Sequence, residues 1–383
     1  MEIILARLLE GLSQFGSPGG WKYIVMILVG LLLIALAIKK EYEPLLLLPI
    51  GFGCVLTNIP LSHAVGEEGF LSVLYYAGIA TELFPILLFI GIGAMIDFKP
   101  LFTQPVTIFF GAAAQFGIFM SLLLAVVCNF FLPVPFSIRE AAAIGIIGAA
   151  DGPSAIFIGN LFAPRYMGSI MVAAYSYMAL VPIIQPPVIR ALTTRKERLI
   201  RMTAAAEREV PRHVCILFPI LVTLVAGIVA PMSTSLIGAL MFGNLIRECG
   251  VAERLSHSAQ NELSGLITLL LGITIGSTMR AQDFLTINTA LIMVIGLLAF
   301  VFNTAGGVMF AKLVNIFLPA HRKVNPMIGA CGISAFPMSA RIIQKMAQEE
   351  DPSNFVLMPA VGANVAGQVG SIIAAAMILS IFA

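Results

Sequence analysis

The sequence contains very little charge for its length. Only 11% of its 383 residues are Asp, Glu, Lys or Arg, whereas 59% are hydrophobic and the mean hydropathy is +0.99. Soluble domains carry roughly 25% charged residues, so in water this chain would have apolar surface that nothing covers. The composition therefore excludes a water-soluble domain and predicts an integral protein of the lipid bilayer. The net charge of +2 comes from basic residues between apolar runs and gives no indication of a nucleic-acid partner.

Paired cysteines, clustered histidines and a secretion signal are also missing. The five cysteines have no spacing typical of a disulfide framework or a zinc site. The four histidines form no HExxH or similar metal-binding arrangement. No cleavable signal peptide is evident, because the first residues alternate polar and apolar side chains, which predicts an amphipathic surface segment over residues 1–22. We therefore expect no disulfide and no metal centre built from cysteine or histidine.

Long apolar runs are what the sequence does contain. A helix needs about 20 apolar residues to cross the hydrocarbon core of a bilayer. The chain supplies six runs, then a basic linker at 193–213, then six more, which divides it into membrane units at 23–192 and 214–383. We predict an all-α membrane protein of about ten spans. The runs are 23–38, 44–59, 82–96, 106–132, 139–162, 167–191, 214–230, 235–246, 262–279, 285–317, 325–345 and 354–383.

The two units share residues at an offset near 184 positions. Ile144-Gly145-x-x-Gly148 followed by Pro153 corresponds to Ile328-Gly329-x-x-Gly332 followed by Pro337, and Asn58 corresponds to Asn244. These matches predict an ancestral internal repeat.

The direction of the two halves depends on the matched Gly/Pro segments, 139–162 and 325–345. If both are broken or re-entrant, each half has five crossings and the halves are inverted, as in elevator-type secondary transporters. If both cross fully, the halves run parallel. The inverted arrangement places most basic residues on the cytoplasmic side, in agreement with the positive-inside rule; the exceptions are Arg139, Arg165 and Arg280.

A carboxylate lies in the middle of the first of these segments, in Gly148-Ala-Ala-Asp151-Gly-Pro-Ser. Glycine and proline disfavour a continuous helix there, and a break within lipid frees backbone groups that must find partners. A charged Asp at membrane depth costs on the order of 3 kcal/mol or more. A negative charge beside freed carbonyl oxygens suits a small hard cation, and we predict a Na⁺ site at Asp151. The alternative is a protonated Asp that only links helices.

The second segment has the same kind of break without a carboxylate. It offers the amide of Asn325, the backbone of Gly329, the hydroxyl of Ser334 and the guanidinium of Arg341. At membrane depth Arg341 needs an anionic partner, either Asp151 or a carboxylate on a substrate; the alternative is an arginine that reaches cytoplasmic water.

Two further neutral groups lie in the runs that follow each break. Asn364 stands between small residues in the last run, and Tyr177 occupies the corresponding region of the first half. Each can supply an oxygen to a cation, although small residues around Asn364 are equally typical of close helix packing.

Five segments together resemble one family, the β subunits of the biotin-dependent, sodium-translocating decarboxylases, which act with oxaloacetate, methylmalonyl-CoA or glutaconyl-CoA decarboxylases. The resemblance extends from about residue 25 to the C-terminus. The segments are Gly148-Ala-Ala-Asp151-Gly-Pro-Ser, Ala173-Ala-Tyr-Ser-Tyr177-Met-Ala-Leu-Val-Pro-Ile-Ile-Gln-Pro-Pro, Asn325-Pro-Met-Ile-Gly329, Ser334-Ala-Phe-Pro-Met-Ser-Ala-Arg341 and Pro-Ala-Val-Gly-Ala-Asn364-Val-Ala-Gly.

The resemblance implies a coupled mechanism in the bacterial inner (plasma) membrane. Carboxybiotin on a biotin-carrier or carboxyltransferase subunit is decarboxylated at this subunit, a proton is taken up, and Na⁺ is expelled. It also implies a small γ-type membrane subunit and homo-oligomers. A partner is needed because the chain has no soluble catalytic domain and no Met-Lys-Met biotin-attachment motif.

The resemblance also implies residue roles. Asp151, Asn364, Asn325, Gly329 and Ser334 are expected at the Na⁺ site. Arg341, Tyr177 and Ser334 are expected in catalysis, with Arg341 binding carboxybiotin. The residues alone leave open a different function, a Na⁺- or H⁺-coupled secondary transporter of a small organic anion, because broken helices and a buried Asp serve both.

Overall fold

The computed structural model describes residues 10–41, 43–66, 68–103, 105–131, 135–202, 210–319, 322–335 and 338–382. All regular secondary structure within these ranges is helical, so the predicted all-α class is confirmed. Parts of the predicted N-terminal segment and linker, together with His321, Phe336 and Pro337, lie outside the described residues.

The helices of the first half are interrupted by several short turns of other helical types. A π-helical turn, Tyr75–Ile79, follows α3, and short 3₁₀-helices, Ile146–Ala149 and Pro164–Tyr166, flank α9. The α-helices are α1 (Trp21–Lys40), α2 (Pro44–Asn58), α3 (Phe70–Leu74), α4 (Leu83–Met95), α5 (Lys99–Thr103), α6 (Thr107–Ala114), α7 (Phe116–Cys128), α8 (Ile138–Gly145), α9 (Gly152–Phe162), α10 (Met167–Ala179) and α11 (Val181–Leu192), and α12 (Arg195–Arg198) begins the linker.

The second half has the same character. The 3₁₀-helices Pro231–Ser233 and Pro326–Cys331 and the π-helical turn Ala259–Leu263 separate longer elements. The α-helices are α13 (Arg212–Val229), α14 (Thr234–Glu248), α15 (Glu253–Ser258), α16 (Ser264–Ser277), α17 (Ala281–Phe284), α18 (Ile287–Phe317), α19 (Met338–Glu350) and α20 (Leu357–Phe382).

Five stretches are long and apolar enough to cross a membrane: α1, α6 with α7, α13, α18 and α20. Two bent pairs raise the number to as many as seven. In one of them, Pro164–Ala179 and Val181–Leu192 meet at 68°, where Pro182 removes a backbone donor. At most seven stretches of the described chain are therefore long enough to span a membrane, fewer than the ten or so predicted, because runs such as α2 and α9 form shorter helices. Several membrane-length helices remain, as expected for a multi-pass membrane protein.

Equivalent asparagines join the two halves. Asn58 at the end of α2 donates from Nδ2 to the carbonyl oxygen of Met279 at 2.7 Å, and Asn244 on α14 donates to that of Ile96 at 3.0 Å. A second pair of asparagines makes similar bonds within each half. Asn129 exchanges two hydrogen bonds with the backbone of Phe136, and Asn315 exchanges two with the backbone of Val324. Asn58 and Asn244 thus each donate a hydrogen bond to a backbone carbonyl oxygen in the other half of the chain.

Close backbone contact fixes α4 against α14. A Cβ atom added to Gly93 would lie 1.9 Å from the carbonyl oxygen of Leu240, and one added to Gly243 would lie 2.0 Å from that of Ile90. Only glycine fits at such distances, and interfaces of small residues are how membrane helices approach one another closely.

The two broken segments lie in the interior of the protein. In α13 only 11% of the apolar stretch is buried, whereas in α20 the figure is 61%. Ile144, Ile147, Ile333 and Val365 belong to one buried cluster, which brings both breaks and α20 into the interior.

The basic linker is tied to the C-terminal end of α19 by ion pairs. Arg198 contacts Glu350 at 2.7 Å, and Arg201 contacts Asp351 at 2.7 Å. Arg195 contacts Glu350 as well, at 3.3 Å, and Arg190 in α11, just before the linker, pairs with Glu349 at 2.9 Å. The first and second halves are therefore connected on this face by charge as well as by packing.

Candidate functional site: two broken segments meet at Asp151

The chain break at Asp151 is present as predicted. Helix α8 tightens into the 3₁₀-helix Ile146–Ala149, Ala150 adopts a left-handed conformation with φ 55°, and α9 begins at Gly152. A left-handed conformation costs a residue with a Cβ atom roughly 1–2 kcal/mol. The surrounding packing therefore maintains a strained turn immediately before the carboxylate.

Asp151 occupies the N-cap position of α9 in the protein interior, and its side chain makes no capping hydrogen bond to the helix backbone. The side chain is 4% exposed, and its Oδ2 accepts a hydrogen bond from the Ser154 hydroxyl. The hydroxyl of Ser371 on α20 also interacts with this carboxylate. The amides at a helix N-terminus carry partial positive charge, which offsets part of the cost of burying a carboxylate here, and oxygen lone pairs of Asp151 remain for a ligand.

The second break touches the first directly. After the 3₁₀-helix Pro326–Cys331 the backbone is non-helical from Gly332 to Ala335. The backbone N–H of Ser334 donates to the carbonyl oxygen of Ala149 at 3.3 Å. Two interrupted segments, which are far apart in sequence, therefore satisfy part of each other's freed backbone and meet two residues before Asp151.

One face of α20 completes this region with polar side chains. Asn364, Gln368 and Ser371 follow one another at spacings of four and three residues, which places them on the same face of the helix. The Ser334 hydroxyl bonds to the Ser371 hydroxyl at 2.5 Å and to the carbonyl oxygen of Gly367 at 3.2 Å. The structure thus brings Ser334, a residue singled out from the sequence, to Asp151 through Ser371.

Asn364 contacts the second break rather than Asp151 itself. Its Nδ2 donates to the carbonyl oxygens of Ile333 at 2.6 Å and of Cys331 at 3.2 Å. Its Oδ1 is buried and has no hydrogen-bond partner among the described residues. The amide therefore holds the broken backbone on one side and presents a free oxygen acceptor on the other.

Asn325 and Gly329 are not brought to Asp151. Asn325 donates from Nδ2 to the carbonyl oxygens of Arg198 and Ile200 in the linker, at 2.8 and 3.0 Å. The carbonyl oxygen of Gly329 accepts within its own 3₁₀-helix, and a Cβ atom at this residue would lie 2.0 Å from the carbonyl oxygen of Gly307. Asn325 therefore binds the linker backbone, and Gly329 allows close packing of the second break against α18.

Tyr177 and Arg341 also lie apart from the carboxylate. The Tyr177 hydroxyl donates to the carbonyl oxygen of Met293 at 2.7 Å, and its ring packs against Phe300. Arg341 is exposed in the first turn of α19 and forms no ion pair with Asp151 or with any other acidic residue that the structure describes. Of the two expectations for Arg341, direct pairing with Asp151 is therefore not observed.

Sequence reasoning missed three residues at this site. Ser154 stands inside the motif around Asp151, Ser371 lies seven residues after Asn364, and Tyr175 precedes Tyr177 by two positions. A polar stripe at helical spacing in an otherwise apolar run was the available signal for Ser371. Tyr175 carried no such signal, because two tyrosines on one helix look alike in sequence.

The arrangement provides a single carboxylate with neutral oxygens around it. Hydroxyl, amide and carbonyl oxygens are the ligands that hard cations prefer, and one carboxylate balances one positive charge. Across the described ranges, no group of three or more His, Cys, Asp or Glu residues is placed to hold a metal ion. The site is therefore suited to a monovalent alkali cation that loses its water shell.

Comparison with known proteins agrees with this chemistry. Residues 22–382 match the family described as Na⁺-transporting oxaloacetate decarboxylase beta subunit. The chain is 49% identical to methylmalonyl-CoA decarboxylase subunit beta of Veillonella parvula, over 93% of this chain and 92% of that protein. It is 47% identical to glutaconyl-CoA decarboxylase subunit beta of Acidaminococcus fermentans, over 94% and 93%. It is 43% identical to the oxaloacetate decarboxylase beta chain of Klebsiella pneumoniae, over 98% of each. The chain belongs to the family of Na⁺-transporting decarboxylase β subunits.

Proposed function

We propose that this chain is the membrane subunit of a decarboxylase sodium pump. Carboxybiotin, carried by a partner subunit, is decarboxylated at the cytoplasmic face of this chain, and the reaction drives Na⁺ outward across the membrane. The N–CO₂⁻ bond of carboxybiotin breaks to release CO₂, and the biotin nitrogen receives a proton, so one proton is taken up per decarboxylation. Moving one charge outward against 100 mV costs about 2.3 kcal/mol, which the decarboxylation supplies.

One observation carries the proposal: the buried Asp151 lies where two broken segments are joined by the Ser334–Ala149 hydrogen bond. A carboxylate in this setting is costly unless a cation neutralises it. Asp151 supplies the charge, and Ser334 and Asn364 supply neutral oxygens or hold the backbone that does. Because both breaks contribute, movement of either segment changes the affinity for Na⁺.

Arg341 is proposed to bind the carboxylate of carboxybiotin. It is exposed in the first turn of α19, four residues after the last undescribed position of the second break, and its planar guanidinium can donate two parallel hydrogen bonds. A cation that faces water is accessible to a prosthetic group on another subunit. Since α19 follows directly from the segment of Ser334, binding at Arg341 would act on the ion site through the backbone.

The architecture is proposed to be an inverted repeat of elevator type. Residues 23–192 and 214–383 would form the two repeats, joined by the linker at 193–213. The matched hydrogen bonds of Asn58 and Asn244 support this arrangement, as do the two similar breaks. An inverted pair can expose one central site alternately to the two sides of the membrane.

Partner subunits follow from the same proposal. The relatives are named as subunits or chains of decarboxylases, and we propose a biotin-carrier or carboxyltransferase subunit, a small γ-type membrane subunit and a homo-oligomer of this chain as its associates in the inner membrane. Na⁺ is the transported ion, and biotin is borne by the partner.

The decisive experiment is decarboxylation of free carboxybiotin by the reconstituted complex as a function of Na⁺ concentration. We expect Na⁺ to stimulate this turnover, and we expect no stimulation in Asp151→Asn, whose neutral amide cannot balance a cation. When the complete complex decarboxylates its own substrate, the Na⁺-stimulated activity should also be sensitive to avidin. Na⁺ transport by this chain alone in liposomes, driven only by an ion gradient and coupled to an organic anion, would instead establish a secondary transporter.

A further inference from the structure

A buried tyrosine beside Asp151 has no hydrogen-bond partner. Tyr175 is 2% exposed on α10, and its hydroxyl oxygen makes no hydrogen bond within the described part of the chain. Leaving a buried hydroxyl unsatisfied costs roughly 1–3 kcal/mol. Native proteins rarely retain such a group unless a water, an ion or a ligand satisfies it.

The tip of the Tyr175 ring lies at the start of α9, next to the carboxylate. A Cβ atom added to Gly152 would be 2.2 Å from Cζ of Tyr175 and 2.5 Å from its hydroxyl oxygen. Gly152 directly follows Asp151, so the hydroxyl of Tyr175 lies beside the residue next to the carboxylate. Absence of a side chain at Gly152 is therefore what allows the phenol to approach the carboxylate.

The neighbouring tyrosine on the same helix behaves differently. Tyr177 already donates to the carbonyl oxygen of Met293 at 2.7 Å. Successive helical residues are rotated by about 100°, so two positions separate the side chains by roughly 200° around α10. Tyr175 faces Asp151, and Tyr177 faces α18.

We propose that Tyr175 is a further residue of the cation site at Asp151. Its oxygen contributes a lone pair to the bound Na⁺, and its O–H donates to the Asp151 carboxylate, so that one hydroxyl fixes both the ion and the charge that holds it. The proposal rests on the proposed function, because it assumes that Na⁺ binds at Asp151. It assigns to Tyr175 an oxygen contact to the cation of the kind that the sequence suggested for Tyr177.

The test is Na⁺ affinity in the purified complex, measured by equilibrium binding of radioactive Na⁺ and by the Na⁺-dependent rise in Tm. Tyr175→Phe keeps the ring and removes only the hydroxyl, and we expect its Kd for Na⁺ to rise about tenfold, as for loss of one strong ligand contact. Tyr166→Phe, directly before α10, is the matched control and should change this Kd by less than about twofold, because its hydroxyl is already bonded to the side chains of Asn288 and Arg165. Li⁺ and K⁺ titrations should show a changed selectivity order or ratio only in Tyr175→Phe.

A second variant displaces the Tyr175 hydroxyl without changing Tyr175 itself. Gly152→Ala places a methyl group against the ring tip and should raise the Kd for Na⁺ as well. Gly159→Ala on the same helix is the control, because its methyl group would lie close only to the flexible Met167 side chain, with Ile170 at ordinary contact distance. Unchanged Na⁺ affinity in a folded Tyr175→Phe complex would overturn the inference, while loss of binding in Asp151→Asn would leave the proposed function intact. Retained Na⁺ binding in Asp151→Asn would instead contradict the proposed function itself.

Discussion

The backbone N–H of Ser334 donates to the carbonyl oxygen of Ala149 at 3.3 Å. This bond joins two interrupted segments from opposite halves of the chain within two residues of the only carboxylate of either break. Freed backbone groups in a membrane must be satisfied inside the protein, and here each break serves as the partner of the other. A shift of one segment past the other would therefore change the ligand set around Asp151.

Removing the Ser371 hydroxyl should weaken Na⁺ binding. The Ser371 hydroxyl accepts from the Ser334 hydroxyl, donates to the carbonyl oxygen of Gln368 at 2.9 Å and lies near the Asp151 carboxylate, so removing it takes a neutral oxygen away from the ion site and leaves the Ser334 hydroxyl without this partner. Ser371→Ala should therefore raise the Na⁺ concentration for half-maximal decarboxylation about tenfold or more. Ser380→Ala is the matched control, because that exposed hydroxyl bonds only to the carbonyl oxygen of Met377 in its own helix. Equal Na⁺ dependence of the two variants would contradict the prediction.

Substitutions of Asn364 and Asn325 should have different effects on Na⁺ affinity, although the sequence predicted both residues at the Na⁺ site. Asn364→Ala removes the amide that holds the carbonyl oxygens of Cys331 and Ile333 and should raise the Kd for Na⁺ strongly. Asn325→Ala should leave this Kd within about twofold and should release the linker, whose carbonyl oxygens at Arg198 and Ile200 it binds.

Limited trypsin digestion checks the second half of that prediction. Cleavage after Arg198 and Arg201, followed by mass spectrometry, should be faster in Asn325→Ala than in Asn364→Ala. A large loss of Na⁺ affinity in Asn325→Ala with normal linker cleavage would show that this amide acts at the ion instead.

Arg341→Lys should abolish decarboxylation while Na⁺ still protects the protein against thermal unfolding. Lysine keeps the charge but lacks the two-pronged donor that fits a carboxylate, and Arg341 is remote from the Asp151 contacts. Lys345→Gln is the control, since it removes a charge from the same exposed face of α19 one turn later. Normal turnover of carboxybiotin in Arg341→Lys would exclude the proposed role.

The contact between Asp351 and the linker should give the protein a pH dependence in the acid range. Hydrogen bonds from Ser353 and Arg201 hold the pKa of Asp351 at about 2, below its ordinary value of 3.8. A depressed pKa stabilises the folded state above the unfolded pKa, so the contribution is complete above pH 3.8 and is lost as the pH falls toward 2. Asp351→Asn should therefore lower Tm slightly, by about 1–3 °C at neutral pH, and the difference should vanish in acid.

Ionic strength provides the control for this prediction. The pair is exposed, so its effect should shrink as salt is raised toward 1 M, where the Debye length is about 3 Å. Glu253→Gln, which removes an acid that forms no ion pair with a described residue, should show no such pH or salt dependence. A pH-independent difference for Asp351→Asn would contradict the assignment.

Much of the fold was accessible from sequence because its causes are local. Hydropathy predicted a helical membrane protein, and Gly148, Gly152 and Pro153 within an apolar run predicted the break at Asp151. The matched Asn58 and Asn244 indicated corresponding positions in two halves. Helix subdivision was harder, since the predicted run at 167–191 is bent at Leu180, where tertiary packing decides whether a proline bends or merely begins a helix.

The site depended on contacts that no local pattern encodes. From the sequence, Tyr177, Asn325 and Ser334 were all predicted as site residues. In the structure, the rotation of α10 turns Tyr175 rather than Tyr177 toward the carboxylate. Asn325 lies in a broken segment, as expected, yet its amide is nearer the linker carbonyl oxygens than the ion site.

By itself, the sequence determined that this protein resides in a membrane, that its chain is broken at a lone carboxylate, and that its motifs are those of one family. Only the tertiary structure decided which polar groups surround that carboxylate. The reason is physical: hydropathy and backbone propensity act over a few neighbouring residues, whereas the Ser334–Ala149 and Ser334–Ser371 contacts join residues from distant segments whose relative rotation and depth are fixed by packing of the whole chain.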